Sequence, residues 1–437
     1  MAGRLNEIER QFCLASADVC CNTSYPISPD FFSTYRVKGY DVMAGEDSLA
    51  FYVHVPFCLS LCRFCEYTRV KSGDEHQESR YVDLLERQIE AWTSGHQCAC
   101  LYGLDVGGGT PTALNGRDFA RVMSFASALA QHGRDADFEP SVEFSYGTID
   151  DEKIAAIGDA GFSRASAGLQ LVDEAFLSEM SRANTGLAQM RAVNTRLKAA
   201  GIKKLNLDIM YGFEGQTAKS FDATLQVLGA LRPDQVTLYE MRYNMNPLPH
   251  ARVTRESNYA LYSSLYDRLL SMGYRARFGQ NTFSMADDEG VSSYLRHRMF
   301  DGISYKGFGI SAQSMSARGI AYNSLKGYSG ARLPDLSEIC EQDIYRLPGE
   351  ELAAKYVAVA LYGGRFKLSV VERFLGKDAR SHFAAELDYL VSGGYLSVEA
   401  DGECRVTRKG FREYGAIAAL FWSDAHKRRW LENKEDA

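Results

Sequence analysis

Apolar residues along this chain fall into short runs, each followed by a longer amphipathic stretch. The run Phe51–Pro56 predicts a strand, and Glu78–Trp92, apolar at helical spacing, predicts the helix after it. The pair recurs as Leu104–Gly107 with a helix over Arg117–Gln131, and as Ser141–Tyr146 with a helix over Asp151–Ala160. Further strands are predicted over Arg164–Leu171, Lys204–Tyr211 and Gln235–Met241, with helices over Ala188–Ala200, Lys219–Leu231 and Ser257–Met272. Six such units in a row imply crossover connections and a parallel sheet. Their regular spacing fits a partial (β/α)6 barrel of the TIM type better than an open nucleotide-binding sheet.

The first 45 residues carry turn and extended signals, Asn22–Pro26 and Ser28-Pro29, and predict an irregular N-terminal arm. After Tyr328 the pattern changes. Residues 331–350 read as a linker, followed by helices over Glu351–Leu361, Leu368–Leu375 and Ser381–Ser392. Strands around Tyr395–Val398 and Glu403–Val406, joined by Asp401-Gly402, form a hairpin, and a last helix begins after Thr407. The organisation is therefore an arm (1–45), a barrel domain (46–330), the linker (331–350) and a winged-helix-like module (351–437).

Composition narrows the class. At 437 residues, with 46% hydrophobic and 24% charged residues, the chain has the make-up of a globular enzyme of more than one domain. A formal charge of −7 gives no basic face for nucleic acid, so the winged-helix-like module is not expected to bind DNA. The run His426-Lys427-Arg428-Arg429 reads as a solvated helix end. No apolar run is long enough to span a bilayer, and Met1–Arg10 lacks the apolar core of a signal peptide, so a cytoplasmic monomer away from the membrane is expected. Ten cysteines in that compartment read as thiols or metal ligands rather than disulfides. Cys13, Cys20, Cys21, Cys98, Cys100, Cys340 and Cys404 are scattered and default to packing or surface thiols.

The other three carry chemistry. Cys58, Cys62 and Cys65 sit directly after the first barrel strand, where a loop opens onto the active-site face. Thiolates suit zinc or iron–sulfur clusters, and a zinc site would need a fourth ligand such as His54. Three thiols can instead hold three irons of a cubane and leave the fourth open to a small molecule. The run Gly107-Gly108-Gly109-Thr110-Pro111-Thr112 ends the next strand; by itself it reads equally as a tight turn or a close approach to ligand.

The C-x3-C-x2-C spacing resembles the signature of the radical S-adenosylmethionine (SAM) superfamily, which implies a 4Fe–4S cluster on Cys58, Cys62 and Cys65 and SAM at the open iron. A narrower likeness rests on Tyr52–Cys58, the GGGTPT run, Ala167–Gln170, Asn206–Gly212 and Gly307–Ala312, with Asn22–Pro26 and the C-terminal module beside them. These resemble the oxygen-independent coproporphyrinogen III oxidase (HemN-like) family, over nearly the whole chain. The resemblance implies two SAM molecules: the first against Tyr52, Gly108 and Glu143, the second against Phe64, Gly109, Thr110, Gln170, Arg182 and Asp208. It also implies an electron donor such as flavodoxin or ferredoxin. Taken singly, Arg182 reads equally as a surface helix residue and Asp208 as a helix cap.

Departures from the porphyrin-making members concentrate at the substrate side. Glu66-Tyr67 replace their Gly-Cys, Cys21-Asn22 replace an Arg-Tyr, and Arg242 and Gln313, bordering the cofactors, replace small or apolar residues. The resemblance then implies a class C radical SAM methyltransferase or cyclopropanase, which transfers a SAM-derived methylene or methyl group to an sp2 carbon of an aromatic or heteroaromatic metabolite. The alternatives are oxidative decarboxylation of coproporphyrinogen III, a haem chaperone or haem-modifying protein, and unrelated radical chemistry. The expected substrate mouth is lined by Tyr25, Glu66–Arg69 and Tyr239–Tyr243. Tyr239, Arg242 and Tyr243 read as ring contacts or as rim packing, and Glu66 and Glu240 as candidates for handling the substrate proton.

Overall fold

A computed structural model describes residues 2–27, 29–131, 133–243, 248–323, 333 and 339–435. One 12-stranded sheet dominates it. In chain order the strands are β1 (Arg36–Val37), β2 (Ser48–Val55), β3 (Cys100–Gly108), β4 (Pro140–Phe144), β5 (Arg164–Gln170) and β6 (Lys204–Tyr211). They continue as β7 (Gln235–Glu240), β8 (Thr282–Ser284), β9 (Ser304–Phe308), β10 (Gln313–Ser316), β11 (Gly319–Asn323) and β12 (Glu341–Tyr345). Their order in space is β1-β12-β11-β10-β9-β2-β3-β4-β5-β6-β7-β8. From β9 through β2 to β7 every pairing is parallel, and both flanks are antiparallel. The sheet does not close on itself. It is the open, partial barrel that the repeated strand–helix pattern predicted.

Amphipathic helices cover its outer face. In Gly116–Leu129, Asn115 caps the first turn, and Phe119, Val122, Met123, Ala126 and Leu129 form one buried stripe. Alternation along β2 separates the faces: Phe51 points outward against Trp92 and Phe308, whereas Tyr52 points into the lumen. On the lumen side, Arg164 donates to Ser141 and Gln235 at 2.9 Å each. Asn206 donates to Ser166 at 2.9 Å and to Asp208 at 2.7 Å, and accepts from Thr237 at 3.0 Å. This hydrogen-bonded floor satisfies polar groups that would otherwise be costly to bury.

Helix Ser293–Phe300 lies against the lumen side of β3. Gly103 makes that approach possible, because a Cβ there would overlap the backbone of Tyr294. The C-terminal segment supplies helices Gly349–Leu361, Leu368–Leu375 and Ala384–Ser392 and a small sheet of β13 (Arg365–Lys367), β14 (Leu396–Val398) and β15 (Glu403–Val406). Gly402 turns the expected hairpin with φ +83°.

Several expectations need correction. The N-terminal stretch is not irregular throughout: Ala2–Ala17 is a helix whose Ile8, Phe12 and Ala15 are buried, with Phe12 against Tyr389 and Tyr395. Within the expected linker, β12 joins the main sheet by pairing with β11 and β1. The boundary at Tyr328 and the linker residues 331, 332 and 334–338 lie outside the described residues, as does Ser28. The expected helix Ser381–Ser392 breaks at Phe383, and the last helix is three, Arg408–Phe411, Tyr414–Leu420 and Asp424–Glu435. The basic run is not wholly solvated either. His426 is buried among Tyr25, Phe31 and Trp422, and its apolar surroundings hold its pKa down to about 4.

Candidate active site

β2 stops at Pro56, and the chain immediately forms a two-residue parallel pair, Phe57–Cys58 with Val70–Lys71. Val70 N–H donates to Pro56 O at 2.7 Å and Ser72 N–H to Cys58 O at 2.8 Å, so the cysteine loop is clamped at its base. Inside the loop, Cys65 N–H and the Arg69 guanidinium both donate to Cys62 O, at 3.2 and 2.9 Å. Arg63 N–H donates to Met180 O at 3.1 Å. Cys62 and Phe64 are buried in a separate apolar cluster with Met180, Phe213 and Met241.

His54 fastens the loop to the strand. Its Nε2 lies 3.0 Å from Thr68 O, an acceptor, so that nitrogen carries the proton. Burial lowers its pKa to about 4, and the ring stays neutral. Its Nε2 is taken by Thr68 and its Nδ1 faces Gly108 of the glycine run. Among the described residues, no trio of His, Cys, Asp or Glu is placed to hold a metal ion.

The glycine run packs against this loop. Gly109 N–H donates to Val55 O at 2.8 Å and Thr110 N–H to Phe57 O at 2.7 Å. A Cβ on Gly109 would lie 2.6 Å from the Pro56 carbonyl carbon. Gly108 has φ +115°, and a Cβ there would meet the His54 ring at 2.5 Å. The Thr110 hydroxyl donates to Cys58 Sγ at 3.7 Å, and Arg182 Nη1 to Cys62 Sγ at 3.6 Å.

Glu143 ends β4 in a recess that water reaches but protein rings, and it accepts from Gly108 N–H at 3.1 Å. Burial, then the charge of Asp208, raises its pKa to about 7. Asp208 rises to about 6 through burial, opposed by Arg164 and Asn206. Gln170 has φ +63°, and its buried Oε1 has no hydrogen-bond partner. Arg182, whose Nη2 donates to Gly168 O, likewise keeps a buried, unpartnered Nε. Arg182 is thus a lumen residue beside Cys62 and not a surface one, and Asp208 is held by Asn206 within strand β6 rather than capping a helix.

The expected mouth residues divide. Glu66 and Arg242 form an ion pair, so neither is a free acid or base. Tyr239 faces Tyr362 with ring centroids 6.3 Å apart and lies near Asp208, while Tyr243 donates to Gly212 O at 2.9 Å and stacks on His250. Glu240 is held by Asn258 at 2.6 Å and by Tyr414 of the C-terminal module; the structure does not bring it to the lumen carboxylates. Gln313 is locked between Tyr305, which donates to its Oε1, and Tyr322, to which its Nε2 donates at 2.6 Å. Tyr25 hydrogen-bonds to Glu351, so the arm's side chain is turned into the C-terminal module.

Three lumen residues escaped the motifs. Asp105, two positions before Gly107 and so on the same strand face, accepts from Ser292 at 2.7 Å and is raised to about 7 by burial. Arg298 lies over the rings of Tyr305 and Tyr294, at 4.5 and 5.7 Å, and Tyr294 stacks on Tyr52. Lys355 is buried, with Nζ donating to Tyr25 O at 2.9 Å. Only the strand alternation around Asp105 offered a sequence signal.

Comparison with known proteins agrees with this geometry. Residues 52–228 match the family model described as the radical SAM superfamily. The chain is 26% identical to coproporphyrinogen III oxidase, anaerobic 1, of Cereibacter sphaeroides, over 91% of this chain and 92% of that one. It is 27% identical to the oxygen-independent coproporphyrinogen III oxidase of Escherichia coli K12, over 70% and 71%. A solved structure of the Escherichia coli coproporphyrinogen III oxidase HemN, described as a radical SAM enzyme, superposes with a TM-score of 0.68 at 23% identity, covering 86% of this chain and 90% of that one. That likeness establishes the fold.

A radical SAM domain implies a 4Fe–4S cluster and SAM, and the residues present fit both. Each of two thiols has a donor aimed at its sulfur, Thr110 at Cys58 and Arg182 at Cys62, as thiolates bound to iron require. Asp105, Glu143 and Asp208, all raised by burial in one lumen, form a carboxylate set suited to a sulfonium and an ammonium. Among the described residues no helix is long and apolar enough to cross a membrane.

Proposed function

We propose, from the premise that residues 52–228 are the radical SAM domain of a HemN-like enzyme, that this protein removes a hydrogen atom from a small molecule held at the open side of the barrel. When bound, the cluster and SAM supply a 5′-deoxyadenosyl radical. Cys58, Cys62 and Cys65 hold the cluster. Gly108 and Thr110 present backbone and hydroxyl groups to SAM, while Glu143 accepts from its cationic or hydroxyl groups. Arg182 and Gln170 keep buried polar atoms for a second SAM, with Asp208 below them. The apolar cluster around Phe64 keeps water from the thiols. The observation that carries this reading is the clamped three-thiol loop packed on the glycine run, with donors to two of its sulfurs.

Oxidative decarboxylation, the alternative expected above, is the first reading of the overall reaction, because relatives that match nine-tenths of the chain are named coproporphyrinogen III oxidases. This reverses the order expected from the motifs. Methylene transfer to an sp2 carbon is the second reading, favoured by one observation: the Glu66–Arg242 ion pair stands at positions that the porphyrin-making members fill with small or apolar residues. Anaerobically reconstituted protein should contain iron and sulfide and, once reduced, form 5′-deoxyadenosine from methyl-labelled SAM. Carbon dioxide from carboxyl-labelled coproporphyrinogen III establishes the first reading; S-adenosylhomocysteine with labelled product establishes the second. Protein that binds no iron refutes both.

A further inference from the structure

Buried cations in a protein are almost always matched by carboxylates, because an unmatched one loses its hydration for nothing. Most of this chain obeys. Buried Arg365 pairs with Glu289 and Glu403, and buried Lys306 with Glu341. Buried Lys355 and half-buried Arg298 do not, and buried Arg164 has only the neutral Ser141 and Gln235. Among the described residues neither Lys355 nor Arg298 forms an ion pair with a carboxylate; Lys355 has the Tyr25 carbonyl, and Arg298 has the hydroxyls and ring faces of Tyr294 and Tyr305. Glu351, one turn before Lys355 on the same helix, is taken by Tyr25, Tyr35 and Ser423.

The two cations line one small cavity of about 20 Å³, room for a single small polar group, together with Ser304, Tyr305, Met315 and Phe374. Burial, and then the positive charges of Arg298 and Arg242, lower the Lys355 pKa from 10.5 to about 7. Arg242 is the one of the three that has a carboxylate, Glu66 of the cysteine loop. Arg298, through Tyr294 and Tyr52, reaches the lumen wall where SAM is expected. The row Arg242, Lys355, Arg298 therefore runs from the mouth along the open side of the barrel.

We propose that Lys355 and Arg298 form a carboxylate-binding site that receives an acidic group of the substrate and so positions the substrate at the lumen. The inference rests on the function proposed above, but its chemistry applies to either reaction. A carboxylate between the two supplies the counter-charge both lack, and it restores the proton to Lys355. The carbonyl of Tyr25 orients the ammonium, which ties the N-terminal arm to the site.

The test uses reconstituted enzyme and two probes, benzene-1,3-dicarboxylate and its dimethyl ester, followed by calorimetry at pH 8 in buffers of different ionisation enthalpy. Wild-type protein should bind the diacid and take up protons as it does so, and the diester should not bind. K355M should weaken the diacid by about tenfold or more, abolish the proton uptake, and raise the thermal midpoint of the free protein, because the cost of burying an amine that is charged when unfolded is gone. R298Q should weaken the diacid while leaving proton uptake measurable. Equal affinity for diacid and diester, no binding of either, or a K355M variant that is destabilised yet binds normally would overturn the proposal. Deoxyadenosine formation by the same wild-type sample is read separately: its absence refutes the radical reading and leaves the carboxylate site standing.

Discussion

Replacing Gly108 by alanine tests the joint between the cysteine loop and the glycine run. Gly108 holds φ +115°, a region that a Cβ disfavours, and the new Cβ would sit 2.5 Å from the His54 ring. The backbone term alone is about 1–3 kcal/mol. The ring cannot simply rotate away, since its Nε2–H is committed to Thr68 O at 3.0 Å and His54 is buried. Losing that bond while burying the freed carbonyl adds about 1–3 kcal/mol. The sum, about 2–6 kcal/mol, is divided between global stability and local release of the loop that carries Cys58, Cys62 and Cys65. G108A should therefore show a lower thermal midpoint as apoprotein and a larger fractional loss of iron and sulfide after reconstitution than G39A, a change at another positive-φ glycine with open space around it. Equal iron content and midpoints for G108A and wild type would refute the clamp.

Further consequences concern charge. Glu143 has a folded pKa of about 7 against 4.5 when free, so the folded state binds more protons across that window and stability falls as pH rises through it; SAM, as a cation, should bind more tightly from pH 6 to 8 and release protons, and E143Q should flatten both trends in calorimetry. Lys355 runs the other way: lowered from 10.5 to about 7, it makes the unfolded state the better proton binder, so stability rises from pH 7 upward, and K355M should be more stable than wild type at pH 7 by on the order of 2–5 kcal/mol in denaturant titrations. R182L, which removes donors to Cys62 Sγ and Gly168 O, should weaken SAM binding by about 10–100-fold in equilibrium dialysis while the apoprotein fold, by circular dichroism, persists. The Glu66–Arg242 pair is partly exposed, at 20% and 32%, so a double-mutant cycle should give a stability coupling of only about 0.5–1 kcal/mol, with the larger effect on kcat/KM.

The barrel strands were legible because each is bounded by turn residues and followed by a helix with one buried stripe, signals carried within a few residues. The cysteine loop and glycine run were legible as motifs because their chemistry demands adjacent residues. What was missed depends on partners remote in sequence. The stripe Ile8, Phe12, Ala15 looks thin by itself and becomes a helix face only against Tyr389 and Tyr395. The strand Glu341–Tyr345 has no alternation of its own and exists through its register with β11 and β1. Glu240 was read as a candidate for handling the substrate proton, but alternate strand residues face opposite ways, and Tyr414 and Asn258 take it. Lys355 lies within an apolar helix, Gly349–Leu361, where a lone lysine reads as a side chain reaching for solvent; that it meets Arg298 is decided by packing.

Charge is sorted across the lumen. Asp105, Glu143 and Asp208 lie along its strand-lined wall, each raised by burial, with the charge of Arg164 acting against all three shifts. Arg298 and Lys355 lie on the open side, where helices Ser293–Phe300 and Gly349–Leu361 meet, and that side lacks negative charge. The two sets do not pair with each other: Tyr52, Tyr294 and Tyr305 pack beside Arg298, whose charge is felt at Asp105 without an ion pair. Such separation costs stability in the empty protein. It is explained if a cationic cofactor and an anionic substrate bind on opposite sides of that tyrosine wall, each neutralising one set.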